Sequence, residues 1–400
     1  MPSPSLPPSA APRGPQARIA AVDVFRGMTI AFMIIVNTPG SGRVSWGPLR
    51  HAAWHGFTPT DLVFPSFLFI IGVSAFFSLR RFGPVPGREA WVRIWRRTAI
   101  LFGIGMLMWY VPGLVASLIQ MKPGAFLQEF LHKVRVLGVL QRLALCYGIG
   151  STLALLLSRR SLVLVSAGLL LTYWGLMAAF GTGADPYGLQ TNAALRLDLA
   201  LFGPDHLYHG ESVDGAPYAF DPEGLLSTLP ALVTFILGYL SGRFLHETQD
   251  RRIALSGLFP AALLLVAGGF LWSYWLGFPI NKKIWTSSYT LYVGGLSMLL
   301  LAMTPWIVDV RGWRRGVAFF EIFGRNPLLA YVVSEMGEVI LGDWVKGGGG
   351  LSGHEWLYQR LCVPVGGDTG LGSFLFSVGF CLAVWVFSWA ASRKGWILKV

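Results

Sequence analysis

Ten apolar segments of membrane-spanning length constrain this chain more than any other feature. A helix needs roughly 20 mainly apolar residues to cross the hydrocarbon core of a bilayer. We predict such spans at 20–38, 62–80, 98–118, 136–157, 161–180, 225–243, 256–276, 286–307, 317–341 and 372–391. The ninth is the most polar and contains an Asn-Pro pair. The pattern predicts an all-α, polytopic integral membrane protein with about 10 transmembrane helices.

The composition agrees with that class. Hydrophobic residues make up 54% of the chain and charged residues 13%, which is about half of the charged fraction of a soluble domain. These values exclude a disordered protein, a coiled coil and an ordinary nucleic-acid binder, so we expect no nucleic-acid partner. The three cysteines form no disulfide framework and no metal-binding pattern, and we expect no metal.

The basic residues are distributed unevenly between alternate loops. Of the 32 Lys and Arg residues, 19 fall in one set of loops and the termini, 10 in the other set and 3 within spans. Because cytoplasmic loops carry the excess of Lys and Arg, we predict that both termini are cytoplasmic. The outer loops are then 39–61, 119–135, 181–224, 277–285 and 342–371.

The chain divides into a leader and one membrane domain. Residues 1–19 are rich in Pro, Ser and Ala, which predicts a disordered leader. Residues 20–400 are predicted to form a single transmembrane domain. The acidic outer loop 181–224 is too short to be an independent domain, and we expect it to form an extracytoplasmic cap.

The first outer loop holds the densest group of polar residues beside the membrane. Asn37 ends the first span, His51 follows, and Asp61 opens the second span; Trp54 and His55 lie between them. An imidazole held by a carboxylate can act as a general base or a nucleophile. The alternative is structural, with Asp61 as a helix N-cap and His51 bonded to a loop carbonyl.

Two further groups of charged residues lie at the fourth span and just before the sixth span. Arg135 and Arg142 are predicted about 10 Å apart on one face of the fourth span, and a buried arginine needs an anionic partner. That partner is either a ligand or a carboxylate of the ninth span. Asp221 and Glu223 precede the sixth span, where they either bind a cationic or polyhydroxy substrate or cap the helix.

The short outer loop 277–285 combines amide, ammonium and indole groups in Asn281, Lys282 and Trp285. This mixture suits sugar binding, although a tryptophan in that position is also typical of the membrane interface.

Charged and amide residues within two spans are candidates for structural or gating roles. They are Asp23 and Arg26 in the first span, and Asn326 and Glu335 in the ninth. Polar groups in a membrane are costly and therefore need a specific explanation.

Six motifs, in this order, make the chain similar to a known family. They are Ala21–Met28, Asn37–Pro65, Gly138–Leu143, Asp221–Gly224, Phe278–Lys282 and Gly324–Pro327. With them the chain resembles the heparan-α-glucosaminide N-acetyltransferase family of transmembrane acetyltransferases over about residues 18–400.

The resemblance implies transfer of an acetyl group from cytoplasmic acetyl-CoA, as co-substrate, to the amine of a glucosamine-type sugar on the periplasmic side. It implies that His51 is the active-site histidine, with Asp61 and Asn37 beside it. We expect the substrates to be bound by Trp54, His55, Arg135, Arg142, Asp221, Glu223, Asn281, Lys282 and Trp285. The arginines of loop 80–97 either bind the CoA phosphates or only satisfy the positive-inside rule.

The chain as given shows no large N-terminal extracytoplasmic domain and no glycosylation sequon. We therefore expect a bacterial member of the family in the inner membrane, and an acceptor other than heparan sulfate. An amino-sugar permease and an O-acetyltransferase for cell-envelope glycans remain the alternatives. The oligomeric state is left open, with a homodimer among the options.

Overall fold

The computed structural model describes residues 20–83, 85–119, 132–248 and 250–398. The predicted leader lies outside these residues. The helices are α1 (Ala20–Asn37), α2 (Val63–Leu79), α3 (Arg88–Ile119), α4 (Val139–Leu156), α5 (Arg159–Phe180), α6 (Ala193–Phe202), α7 (Thr228–Glu247), α8 (Arg251–Leu276), α9 (Ser287–Pro305), α10 (Val317–Arg325), α11 (Pro327–Val339), α12 (Gly353–Leu357), α13 (Val363–Gly366) and α14 (Gly370–Arg393). The antiparallel strands β1 (Glu211–Val213) and β2 (Ala216–Tyr218) form a hairpin between α6 and α7.

The all-α membrane class is confirmed. Within the described residues, eight helical segments are long and apolar enough to cross a membrane: Pro59–Phe82, Arg88–Val115, Val139–Leu156, Arg159–Phe180, Thr228–Glu247, Arg252–Leu276, Ser287–Val310 and Gly370–Arg393. The other two predicted spans correspond to α1 and to the α10–α11 pair. The number of crossings therefore stays a prediction.

The predicted continuous ninth span, 317–341, is wrong. The helix breaks at Asn326, whose φ of −138° and ψ of 56° are not helical. Proline disfavours helical geometry in the preceding residue and lacks the N–H that would continue the hydrogen-bond ladder. Pro327 instead begins the separate helix α11.

The third span also differs from its prediction, because α3 begins at Arg88 and not at residue 98. Much of the predicted loop 80–97 is therefore helical. Arginine is a good helix former, and its long side chain reaches polar surroundings from a helix that starts at the membrane interface. Hydropathy detects only the apolar part of such a helix.

Glycines allow the central helices to approach closely. A Cβ atom at Gly238 of α7 would lie 1.9 Å from the carbonyl oxygen of Phe69 in α2, and one at Gly242 would lie 3.0 Å from that of Val73. The Gly238/Gly242 pair therefore packs helices together, as the GxxxG spacing predicts. This contact fixes α2, whose outer end carries Asp61.

The predicted outer loops meet at one end of the molecule. Loop 39–61 bonds to loop 277–285 through Gly56 N and Ile280 O (2.8 Å), and to the 181–224 segment through Trp54 Nε1 and Tyr187 O (2.9 Å). At the other end, the Asn326 side chain bonds to Trp396 O at 2.8 Å. Loops 39–61, 181–224 and 277–285 therefore lie together as predicted, and most of the predicted loop 119–135 lies outside the described residues. The assignment of one end to the cytoplasm stays a prediction.

The 181–224 segment has its own small core and packs against the predicted first outer loop. It contains α6 and the hairpin, and buried Leu195, Leu207 and Phe220 pack there with Tyr173 of α5 and Phe278. This packing gives the segment a fixed position over the first outer loop.

Candidate active site

His51 and Asp61 form a hydrogen-bonded pair at the outer end of α2. The His51 Nδ1 atom lies 2.7 Å from Asp61 Oδ1, and the side chain of Asp61 is only 1% exposed while that of His51 is 42% exposed. A carboxylate accepts, so we assign the Nδ1 proton to this bond. The other ring nitrogen, Nε2, then carries a free lone pair.

Local structure holds Asp61 in place. Its Oδ2 atom accepts hydrogen bonds from the backbone N–H groups of Thr58 (2.9 Å) and Ala52 (3.2 Å) and from the Thr58 hydroxyl (3.1 Å). The Tyr289 hydroxyl donates to the Asp61 carbonyl at 2.6 Å. The capping and catalytic interpretations of Asp61 are therefore compatible, since one oxygen binds the loop and the other binds His51.

Lys282 stands directly beside the histidine. Its Nζ atom lies 3.2 Å from His51 Nε2 and 3.3 Å from Nδ1. Burial lowers the pKa of Lys282, an effect that the carboxylates of Glu223 and Asp61 oppose. Burial likewise lowers the pKa of His51 below 6.5, and the charge of Lys282 acts in the same direction against the Asp61 hydrogen bond. Burial and the nearby ammonium therefore both favour the neutral imidazole of His51.

His51 and Lys282 open into a cavity of about 780 Å³ between the helices. Side chains of α1, α2, α3, α4 and α11 line it, together with the outer loops. The lining follows α11 from Leu328 to Val339, a rise of about 16 Å. The cavity thus connects the His51–Asp61 pair with the interior of the helix bundle.

Arg135 and Glu223 line this cavity and belong to a buried ion-pair cluster with Asp221. Arg135 binds Asp221 through two hydrogen bonds (2.8 and 2.7 Å) and Glu223 through one (2.6 Å). Its guanidinium also lies 5.1 Å from the Trp109 ring centre and 4.7 Å from that of Tyr208. The three charged side chains are thus brought together and satisfy one another.

Arg142 does not share a helical face with Arg135, because α4 begins only at Val139. The expected partner from the ninth span is also wrong: Arg142 donates to Gly224 O (2.9 Å) and to the Ser227 hydroxyl. Its guanidinium lies 5.2 Å from the centre of the Trp285 ring. Arg142 is 1% exposed and braces the loop that carries Asp221 and Glu223.

Asn37 does not contact His51 directly, but it lines the same cavity. Its Nδ2 atom lies 3.3 Å from Glu335 Oε1 on α11. This bond connects the end of α1 to α11 and places an amide and a carboxylate on the cavity wall.

Four other predicted binding residues lie outside the cavity lining. Trp54 packs on Phe220 with ring centres 5.3 Å apart. His55 bonds to Asp185 (3.2 Å) and Asn281 (3.3 Å). Asn281 and Trp285 are almost completely buried. These side chains shape the loop that presents Lys282 and attach it to the 181–224 segment.

The inner group lies at the other end of the molecule. Arg26 bonds to Asp23 (3.1 Å), Gly324 O (2.9 Å) and the Ser74 hydroxyl (2.6 Å). Asn326 binds Trp396 O and accepts from Leu398 N at 3.1 Å. These contacts attach α1, α2 and the C-terminal residues to the broken helix.

Sequence reasoning missed Thr58 and Tyr289, which hold Asp61. Thr58 was detectable, because a hydroxyl three residues before an acidic residue is typical of a capping box. Tyr289 lies 228 residues from Asp61 and carried no local signal. In the described part of the chain, no group of three or more His, Cys, Asp or Glu side chains is arranged to hold a metal ion.

The fold and site define a class: a polytopic membrane protein with a histidine–carboxylate pair at one end of an internal cavity. A family model described as heparan-alpha-glucosaminide N-acetyltransferase, catalytic, matches residues 18–276, which include His51 and Asp61. The chain belongs to this family.

Two curated relatives match a longer part of the chain. The human heparan-alpha-glucosaminide N-acetyltransferase is 31% identical over 380 residues, a match that covers 80% of this chain and 53% of the relative. The mouse protein of the same name is 29% identical over 372 residues, with the same coverage. The chain thus spans about half the length of these relatives.

Proposed function

We propose that this protein is a transmembrane acetyltransferase that moves the acetyl group of acetyl-CoA to the amine of a glucosamine-type sugar. The observation that carries this proposal is the His51–Asp61 pair: His51 lines the internal cavity, and its Nε2 atom is the ring nitrogen that does not bind Asp61. The names of the family and of the two relatives support acyl transfer to a glucosaminide. The topology inferred from the basic residues supports a periplasmic acceptor in a bacterial inner membrane.

The chemistry follows from the protonation states of the site. Neutral His51 takes a proton from the sugar ammonium, and the freed amine attacks the thioester carbonyl. Asp61 holds the tautomer and stabilises the imidazolium that forms. This proton then passes to the CoA thiolate as the carbon–sulfur bond breaks. The attacking nitrogen loses its second proton to the regenerated neutral His51, which releases it to solvent. A route through an acetylated His51 uses the same pair, with Nε2 as the nucleophile.

The cavity supports our proposal that the two substrates reach the site from opposite ends. CoA is polyanionic and cannot cross lipid, so its thioester has to reach His51 inside the protein. The lining along α11 supports such a path. The arginines at the start of α3 remain our candidates for the CoA phosphates.

Acceptor-dependent release of CoA tests this proposal. Purified protein in detergent is mixed with acetyl-CoA and with glucosamine, N-acetylglucosamine or glucose. We expect continued release over many turnovers with glucosamine alone. Equal release with glucose would indicate an O-acetyltransferase, and release with none of the sugars would favour a permease, because detergent solution holds no gradient.

A further inference from the structure

The amino group of Lys282 occupies the position that the acceptor's amine has to take. A base must lie within about 2.6–3.2 Å of the group whose proton it abstracts. Lys282 Nζ lies 3.2 Å from His51 Nε2, so a primary amine of the protein already meets this condition. The sugar can bind productively only if Lys282 moves aside.

Lys282 also lacks the carboxylate partner that would hold it as an ammonium. Within the described residues it forms no ion pair, and its Nζ atom lies against the His51 ring, 3.2 Å from Nε2 and 3.3 Å from Nδ1. Its neighbour Lys283 differs, because Lys283 Nζ is 2.7 Å from Glu211 Oε2 and 2.9 Å from Ala53 O. The low pKa that burial gives Lys282 raises its fraction of reactive free amine in comparison with an ordinary lysine.

We infer that Lys282 is an internal acetyl acceptor, and that the enzyme acetylates it when acetyl-CoA is present without sugar. The inference rests on the proposed function. His51 removes a proton from the Lys282 ammonium, and Nζ forms an amide bond with the acetyl carbon. The carbon–sulfur bond of acetyl-CoA breaks, and His51 returns this proton to the CoA thiolate. The nitrogen then loses its second proton to the regenerated His51, which releases it to solvent, so that a neutral amide remains.

This reaction ends turnover. An amide of lysine is neutral, larger and chemically stable, so it stays against His51 Nε2 and blocks the acceptor's place. Glucosamine and Lys282 compete for the same position, and a high sugar concentration therefore protects the enzyme. Self-acetylation therefore inhibits the enzyme when acetyl-CoA accumulates and the acceptor sugar is scarce.

The test uses purified full-length protein in detergent with isotope-labelled acetyl-CoA and no sugar, followed by peptide mass spectrometry. We expect one labelled acetyl group on Lys282 and none on Lys283. The label survives hydroxylamine, which removes an acetyl group from histidine. The fraction of modified Lys282 equals the fraction of CoA-releasing activity lost, and excess glucosamine lowers both.

Two variants separate catalysis from chemical acetylation. In His51→Ala the rate of Lys282 acetylation falls about 100-fold, the typical contribution of a general base. Lys282→Arg keeps the positive charge and accepts no label. Equal labelling of Lys282 and Lys283, or undiminished labelling of Lys282 in His51→Ala, would overturn the inference.

The two proposals fail in different ways. A protein that releases CoA with glucosamine but leaves Lys282 unmodified without sugar refutes self-acetylation alone. A protein that does neither refutes the proposed function as well, and self-acetylation with it.

Discussion

At the scale of single residues, we predict that the protonation of His51 controls the proposed reaction. Its pKa lies below 6.5 because burial and the Lys282 charge disfavour the imidazolium. The neutral base is lost as the pH falls through this pKa, so CoA release decreases on the acidic side.

Replacing Lys282 by glutamine tests this charge coupling. Lys282→Gln removes a positive charge beside the ring, so the pKa of His51 rises and the acidic limb of the pH–rate profile moves to higher pH. Lys283→Gln is the matched control and gives a smaller shift in the same direction, because the charge of Lys283 lowers the pKa of His51 less. If the acidic limb of the pH–rate profile does not move in Lys282→Gln, the charge of Lys282 does not influence the pKa of His51.

The Arg135 cluster predicts a large loss of stability when its cation is removed. Arg135→Ala leaves the buried carboxylates of Asp221 and Glu223 without their partner, and we expect a loss of about 3–5 kcal/mol. The control is Arg43→Ala, whose pair with Asp368 is exposed (78% and 47%) and contributes no more than about 1 kcal/mol. Thermal unfolding in detergent compares them, and equal losses would count against the cluster as a structural anchor.

Single residues also show what the sequence can and cannot reveal. His51 and Asp61 are ten positions apart in one loop, so their pairing was predictable from local chemistry. Lys282 was predicted to bind a sugar, but its contact with His51 spans 231 residues and depends on how two loops fold. Trp285 has the residue type of a sugar platform, but its indole is buried over Arg142.

At the scale of elements, close helix contacts depend on glycine. A Cβ atom at Gly324 of α10 would lie 1.9 Å from the Asp23 carbonyl oxygen of α1. The helix backbone fixes the position of the added Cβ, and the Asp23 oxygen is itself a backbone atom. Side-chain rotation therefore cannot relieve the overlap. The contact also places Gly324 O against Arg26.

We predict that Gly324→Ala destabilises the protein by about 1–3 kcal/mol, the usual cost of overpacking. Gly379→Ala in α14 is the control, because nothing lies within 4 Å of the added Cβ and alanine favours the helix. Thermal unfolding in detergent distinguishes the two variants. An equally stable Gly324→Ala protein would show that α1 and α10 are not packed as described.

Helix boundaries were predictable where apolar character ends at the helix end, as in α5 and α14. They were not predictable where a helix continues through polar residues, as at Arg88, or where a proline divides an apolar run, as at Pro327. Hydropathy reflects the free energy of transferring a side chain from water to lipid. The ends of helices depend instead on local hydrogen bonding and backbone geometry.

At the scale of the whole molecule, the two ends of the helix bundle differ in what they contain. The outer loops form the His51 site, and the opposite end joins the start of α1 to the C-terminal residues. We predict that Ser212→Cys in β1 reacts with an impermeant thiol reagent in intact cells, whereas Lys394→Cys reacts only after permeabilisation. Both are made with Cys362 replaced by serine. The reverse pattern would invert the predicted orientation.

The most direct test of the account measures acetyl transfer in wild-type protein and His51→Ala, matched for thermal stability. Both are given acetyl-CoA and glucosamine in detergent, and CoA and N-acetylglucosamine are quantified. The account predicts one molecule of N-acetylglucosamine per CoA released by the wild type, and a rate lowered about 100-fold or more by His51→Ala. Undiminished transfer by a folded His51→Ala protein would contradict it.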